Sequence, residues 1–289
     1  DMTIRTILVP LDGSEAAKPV MELGLRFGKD HGANVRVLNV RSDPKDTIPL
    51  LGEGMSVSMI EDMIQTAEKD GGERAVRGRK MFDALVKELS LKVSDEPRAS
   101  GASASWSEEV GREDEVTARQ GRLADLIVVG RPTATSDVST TLTLNAALFN
   151  TGRPVLAVPF GGAASFGKHV AISWNGSPQS ARAVASALGL IQAADKVTVM
   201  TVGSEGTSAA RGPELAEYLE WHGISPATRT FDSESRQLVG APLLKECADA
   251  GVDLLVMGAY THSRMRQLIL GGVTRHVLEE AAIPLFMAH

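Results

Sequence analysis

The chain holds a single cysteine, Cys247, so no disulfide can close within it. Cys247 sits among Leu243, Leu244 and Ala248 at helical spacing, which reads as a small apolar core residue and not as a nucleophile. Aromatic residues are scarce, 4% of 289, and Trp106, Trp174 and Trp221 stand far apart; each reads as packing at a sheet or helix edge. No apolar run approaches the ~18 residues that cross a bilayer. The first residues lack the basic, apolar and small-residue sections of a secretion signal, and natural numbering is expected to start at Met2, behind Asp1. A basic surplus is missing too. The formal charge of −6 favours solubility and argues against a broad nucleic-acid-binding face, leaving room only for a local basic pocket. The six histidines show no paired ligand spacing, so no metal centre is expected. There is no Gly-x-Ser-x-Gly elbow, no Cys/His pair at motif spacing and no complete Walker Gly-Lys-Ser/Thr. These absences predict a reduced, cytoplasmic chain without catalytic machinery or a membrane span.

What is present is a unit that occurs twice. Thr6-Ile7-Leu8-Val9-Pro10-Leu11 is a strand ending in the polar turn Asp12-Gly13-Ser14, with Ser14 placed to cap a helix carrying Ala17, Val20, Met21, Gly24 and Phe27. Strands follow at 34–40, near 104–107, at 126–130 and at 153–159, separated by helical patterns. His169-Val170-Ala171-Ile172-Ser173-Trp174-Asn175-Gly176-Ser177 then matches Thr6 to Ser14 without a gap. Pro178 is the favoured first helical residue, and strands at 196–202, 227–231, 253–258 and 283–287 repeat the series. The segment 161–167 is the linker. The repeat predicts two tandem doubly wound α/β domains, 2–160 and 167–289, with mainly parallel sheets flanked by helices.

In such sheets ligands sit beyond the strand C-termini, where the winding reverses. For five strands in the order 3-2-1-4-5, that place lies between strands one and four. The loop after strand one brings Asp12 or Asn175 there, and the loop after strand four brings Gly130 or Gly258. In the second half, Gly258 is followed by Thr261, Gly271, Gly272, Val273 and Thr274. Two glycine stations around one loop, the second opening a helix, can present backbone N–H groups to phosphate. The alternative is a turn that merely needs an unhindered backbone. Thr274 could donate to phosphate or satisfy nearby helix backbone groups. Arg264 and Arg266 could neutralise a polyphosphate or form a solvated face. Asp12 could hold a ribose or cap backbone groups, and Val40 and Val202 are core or pocket wall. The Met55, Met59 and Met63 stretch belongs to the first half alone. It is a flap over a ligand, a contact in a homodimer, or, by default, an inserted helix packed in the core.

The residues Ile7-Leu8-Val9-Pro10-Leu11-Asp12-Gly13-Ser14, the Asp-Leu-(Leu/Ile)-Val-(Met/Val)-Gly fourth strands and the closing Arg153-Pro154-Val155-Leu156 and Ile283-Pro284-Leu285 strands resemble the universal stress protein family, as two domains in tandem. The resemblance implies a five-strand parallel sheet in each half, pairing of the domains along their fifth strands, and a role in stress response. Some members bind ATP through Gly-x2-Gly-x9-Gly-(Ser/Thr). In the second half Gly258 and Gly271 fit that pattern, Thr261 replaces its second glycine and Gly272 its Ser/Thr, while Val273-Thr274 continues as in nucleotide-binding members. Asn175 replaces the acid after strand one, and Val202 would border adenine. In the first half Asp12 and Gly130 fit, but 133–145 contain no glycine. The implied reading is a stress or signalling protein that binds ATP or a related nucleotide in its second half; the alternative is a protein-interaction module with both sites lost. An ATP pyrophosphatase would need a Ser-Gly-Gly-x-Asp-Ser loop after strand one, and both turns here are too short for it.

Overall fold

The computed structural model describes residues 4–11, 13–14, 16–43, 56–97, 101–132, 138–163, 166–203, 211–233, 238–259 and 272–289. The first half runs β1 (Thr6–Leu11), α1 (Ala17–His31), β2 (Asn34–Arg41), α2 (Val57–Glu88), β3 (Lys92–Val93), β4 (Ser103–Val110), α3 (Glu113–Gly121), β5 (Leu126–Gly130), α4 (Val138–Asn150) and β6 (Val155–Val158). The second runs β7 (His169–Ser173), α5 (Pro178–Ala193), β8 (Lys196–Gly203), α6 (Arg211–Glu220), β9 (Ala227–Asp232), α7 (Gly240–Ala250), β10 (Leu254–Gly258), α8 (Gly272–Glu280) and β11 (Leu285–Ala288).

The strands form one sheet of eleven, ordered β3-β4-β2-β1-β5-β6-β11-β10-β7-β8-β9. Neighbours are parallel except β6 and β11, which join the halves antiparallel with Phe286 opposite Leu156. The halves meet along their fifth strands, β6 and β11. One detail differs from the sequence reading: the first half adds β3 at its edge, pairing Lys92 with Ser103. Two residues directly after the α2 pattern are too few for periodicity to separate from the end of that helix.

Strands covered on both faces become continuous apolar runs, and here the burial is nearly complete along β1, β5 and β10. Ile7, Val9, Val128, Val170 and Val256 point into one core layer with α1 and α5. Leu8, Ile127, Ala171, Leu255 and Met287 point into the other, with α7 and α8. The aspartate ahead of each fourth strand has a structural task. Asp125 accepts from the backbone N–H groups of Arg5 and Thr6, both at 2.9 Å. Asp253 accepts from Gly167 at 2.9 Å, Lys168 at 3.1 Å and His169 at 3.0 Å. Each carboxylate thus fixes the start of strand one beside strand four, satisfying amides the strand ends leave unpaired.

Helix starts are only partly as read. Ser177 caps α5, its Oγ accepting from Ser180 N at 3.1 Å, with Pro178 next. Ser14 does not cap α1 in this way: α1 begins after Ala16 without a side-chain cap, and Ala17 N donates to the Ser14 carbonyl at 3.1 Å. The default reading of the methionine stretch is also corrected. Met59 and Met63 lie on α2 but stand 53% and 43% exposed; core packing of α2 begins only at Ala75. Met55 lies outside the described residues. Trp106 packs on Phe82 with ring centroids 5.6 Å apart, whereas Trp221 is exposed.

His169 is buried at the start of β7, its Nε2 2.9 Å from Thr198 Oγ1. Burial, and secondly the charge of Lys196, lower its pKa from 6.5. The unfolded chain therefore takes up this proton at higher pH than the fold does, so stability is lost as pH falls through 6.5 toward the lower folded value. Urea unfolding at about pH 7.5 and about pH 5.5 should show a larger acid-side loss for wild type than for His169→Gln; equal losses would contradict the assignment.

Candidate functional site

The C-terminal ends of β10, β7 and β8 lie side by side, with Met257 opposite Ser173 and Ser173 opposite Met200. Gly258, the turn through Asn175 and the end of β8 at Val202 therefore share one edge of the second half. Asn175 is exposed, and its Oδ1 accepts from Ser177 N at 3.1 Å, an Asx turn that leads into α5. Gly176 in that turn is exposed with φ 70°. Val202 is half-buried and packs on the same core layer as Val273. This places the first turn of α8 on the same face of the sheet as the Val202 side chain. Gly272 opens α8 and is exposed, Val273 is half-buried and Thr274 is buried. A helix N-terminus offers unpaired N–H groups and the positive end of the dipole to an anion. Thr261, Gly271, Arg264, Arg266 and, in the first half, Asp12 lie outside the described residues.

Gly258 has a packing reason to be glycine. A Cβ there would lie 2.5 Å from Ser180 N and 2.7 Å from Gln179 C, inside the first turn of α5. Its place in the loop pattern is thus fixed by helix–strand approach, whatever else it does.

The equivalent crevice of the first half is closed. Gly13, the counterpart of Gly176, is buried with φ 72°, and a Cβ on it would meet the Arg74 carbonyl oxygen of α2 at 2.5 Å. One turn further along α2, Gly78 lies over Asn39 and Trp106. The opening left between β1 and β5 is about 80 Å³, lined by Ser14, Val20, Gly130, Arg131, Thr143 and Pro159 among others. Small-molecule pockets span roughly 300–1,000 Å³, well above this opening.

Arg131, just past Gly130, was not singled out in the sequence. Buried, it reaches across the β6–β11 junction and donates to the carbonyls of Val277 at 3.2 Å and Leu278 at 2.9 Å, and to that of Ala281. These carbonyls lie at the end of α8 and just beyond it, that of Val277 also accepting from Ala281 N at 3.0 Å, and a cation here opposes the negative end of the dipole. Burial lowers its pKa to about 10, which leaves it charged at neutral pH. An arginine of the first half thus holds the helix whose start borders the second-half site. Its partners are 146 to 150 residues away, so no local signal announces it; the repeat offers only a contrast, Arg131 where the second half has Ala259.

Cys247 is buried and its thiol is pushed up to about 12, far from the thiolate a nucleophile needs. Among the described residues no cluster of His, Cys, Asp or Glu could hold a metal ion, and no helix is long and apolar enough to cross a membrane.

The fold is that of a universal stress protein from Archaeoglobus fulgidus, with a TM-score of 0.69 at 16% identity over 99% of this chain and 98% of that one. A functionally unknown protein from Pseudomonas aeruginosa follows at TM-score 0.58 and 14% identity, over 99% and 93%. In sequence, 57 residues are 40% identical to a universal stress protein of Synechocystis, covering 19% of this chain and 20% of that protein. The chain therefore matches about a fifth of the length of this curated relative. The model of the Universal stress protein family matches residues 3–136 and 236–289, more than half of the chain and part of both halves. With the twice-built doubly wound sheet and the aspartate-anchored fourth strands, that match shows that the chain belongs to the universal stress protein family.

Proposed function

We propose that this chain is a non-catalytic stress-response protein of the cytoplasm that binds an adenine nucleotide, ATP or a close relative, in its second half alone. The units concerned are 2–160 and 167–289. The observation that carries the reading is the contrast between the two turn glycines, Gly13 buried under α2 and Gly176 exposed. The exposed turn belongs to the half whose last helix begins with glycine, at Gly272. Asn175, Val202, Gly258, Val273 and Thr274 border that edge, and Thr261 and Gly271 belong to the loop between them in sequence. The roles assigned are backbone donation from the Gly271–Gly272 region to phosphate, and Val202 and Val273 as apolar wall. Asp12 is the first-half counterpart of Asn175, and no role in the second-half site is assigned to it. A buried, high-pKa cysteine supports the absence of covalent chemistry.

Nucleotide extracted from the purified, denatured protein is the test, paired with melting in added ATP. A ligand at a hundredfold excess over its Kd stabilises by about 2.7 kcal/mol. Gly271→Val should abolish both co-purified nucleotide and the ATP-dependent rise in Tm while leaving the ligand-free Tm unchanged. No nucleotide and no shift in wild type would leave the protein-interaction reading standing instead.

A further inference from the structure

Helix α2 has 32 residues, a length of ~48 Å at 1.5 Å per residue, yet no residue of it before Ala75 is buried. Along its outer side runs the stripe Asp62, Thr66, Lys69, Glu73, Val76 and Lys80, in steps of four and three. All six are exposed, Val76 by 56%. Asp62, Lys69, Glu73 and Lys80 make no ion pair with any described residue, although Arg79 and Asp83 on the same helix do.

The stripe is complementary to itself in reverse. About a two-fold axis at residue 71, an antiparallel second helix sets Asp62 opposite Lys80, Thr66 opposite Val76, and Lys69 opposite Glu73. The symmetry applies each pairing twice. Charge along the whole helix follows the same plan. Residues 57–73 carry five carboxylates and one lysine, net −4, and 74–88 carry five cations and two carboxylates, net +3. Parallel alignment would set like charge on like; antiparallel alignment sets acid on base. At the centre stand Gly71 and Gly72, where an added Cβ would meet nothing within 4 Å. Two adjacent glycines weaken a helix interior, and no packing among the described residues requires them. Gly72 flanks the stripe and leaves its middle low, which lets a second helix approach.

We infer that α2 is the interface of a homodimer, in which the α2 helices of two copies pair antiparallel about Gly71 with the registers given above. The contact is isologous, as two-fold symmetry requires, and it places the projecting, methionine-bearing start of each α2 over the other copy. This association is independent of nucleotide in the second half.

Sedimentation of the full chain at about 0.05 M and about 0.5 M salt tests it, since screening weakens exposed charge pairs. Wild type should sediment as a dimer at low salt and dissociate at least ~tenfold more readily at high salt. Lys80→Glu and Asp62→Lys should each be monomeric at low salt with an unchanged melting curve. Mixed in equal amounts, the two variants should form a dimer again, because the reversed charges then face one another. A misfolded variant cannot produce that recovery. A monomeric wild type, a dimer indifferent to both reversals, or a mixture that stays monomeric would each overturn the proposal.

Discussion

Gly13→Ala is expected to cost about 3 kcal/mol of unfolding free energy, from a left-handed backbone penalty of ~1–2 kcal/mol and overpacking of ~1–3 kcal/mol. The residue sits at φ 72° with the Arg74 carbonyl oxygen where its Cβ would be, 2.5 Å away. That neighbour is helix backbone and cannot turn aside as a flexible side chain would. Gly32→Ala is the control. Gly32 has φ 65° but nothing within 4 Å, so only the backbone penalty of about 1 kcal/mol applies. Urea unfolding of both variants separates the two contributions. If Gly13→Ala cost no more than Gly32→Ala, α2 would not close the first-half crevice, and the asymmetry that assigns ligand binding to the second half would lose its basis.

Arg131→Met should be comparably costly, about 3 kcal/mol, because hydrogen bonds from a charged donor contribute ~1.5–3 kcal/mol and buried carbonyls left without a donor add a penalty. Three carbonyls at the end of α8 and just beyond it accept from this one guanidinium, and that of Val277 keeps a second donor in Ala281 N. Arg131→Lys keeps the charge but cannot span all three carbonyls, so an intermediate loss is expected. Hydrogen exchange adds a local readout: amides of α8 should lose protection in Arg131→Met more than those of α1, whose carbonyls are not among the acceptors of Arg131. A loss below about 1 kcal/mol, or uniform deprotection, would mean that Arg131 merely fills space between the halves.

Much of this architecture is legible in the chain because it is encoded locally. Apolar runs such as Leu126-Ile127-Val128-Val129 and Leu254-Leu255-Val256-Met257 are written residue by residue, and the repeat from Thr6 to Ser14 and from His169 to Ser177 shows that the same unit is built twice. Pro178 and Ser177 announce α5 correctly because capping is a contact three residues long. Ser14 fails as a side-chain cap although its surroundings look alike, because α1 begins after Ala16. The two-residue β3 is too short to be told by periodicity from the end of α2, and it exists through its partner β4. Met59 and Met63 show the limit of composition: apolar residues on a helix imply burial only where the fold brings something to cover them.

The candidate site divides along the same line. The sequence by itself determined the doubly wound halves, the crevice between strands one and four, and the glycines that border it, because strand order and turn chemistry follow from short-range pattern. Tertiary structure alone decided that Gly258 must admit the first turn of α5, that α2 covers Gly13, and that Arg131 holds α8 from the other half. Each of these depends on atoms that meet only after distant segments have packed. The glycine that looked like a ligand station is also a packing necessity, and two turns of nearly identical sequence end in opposite environments, one buried and one open.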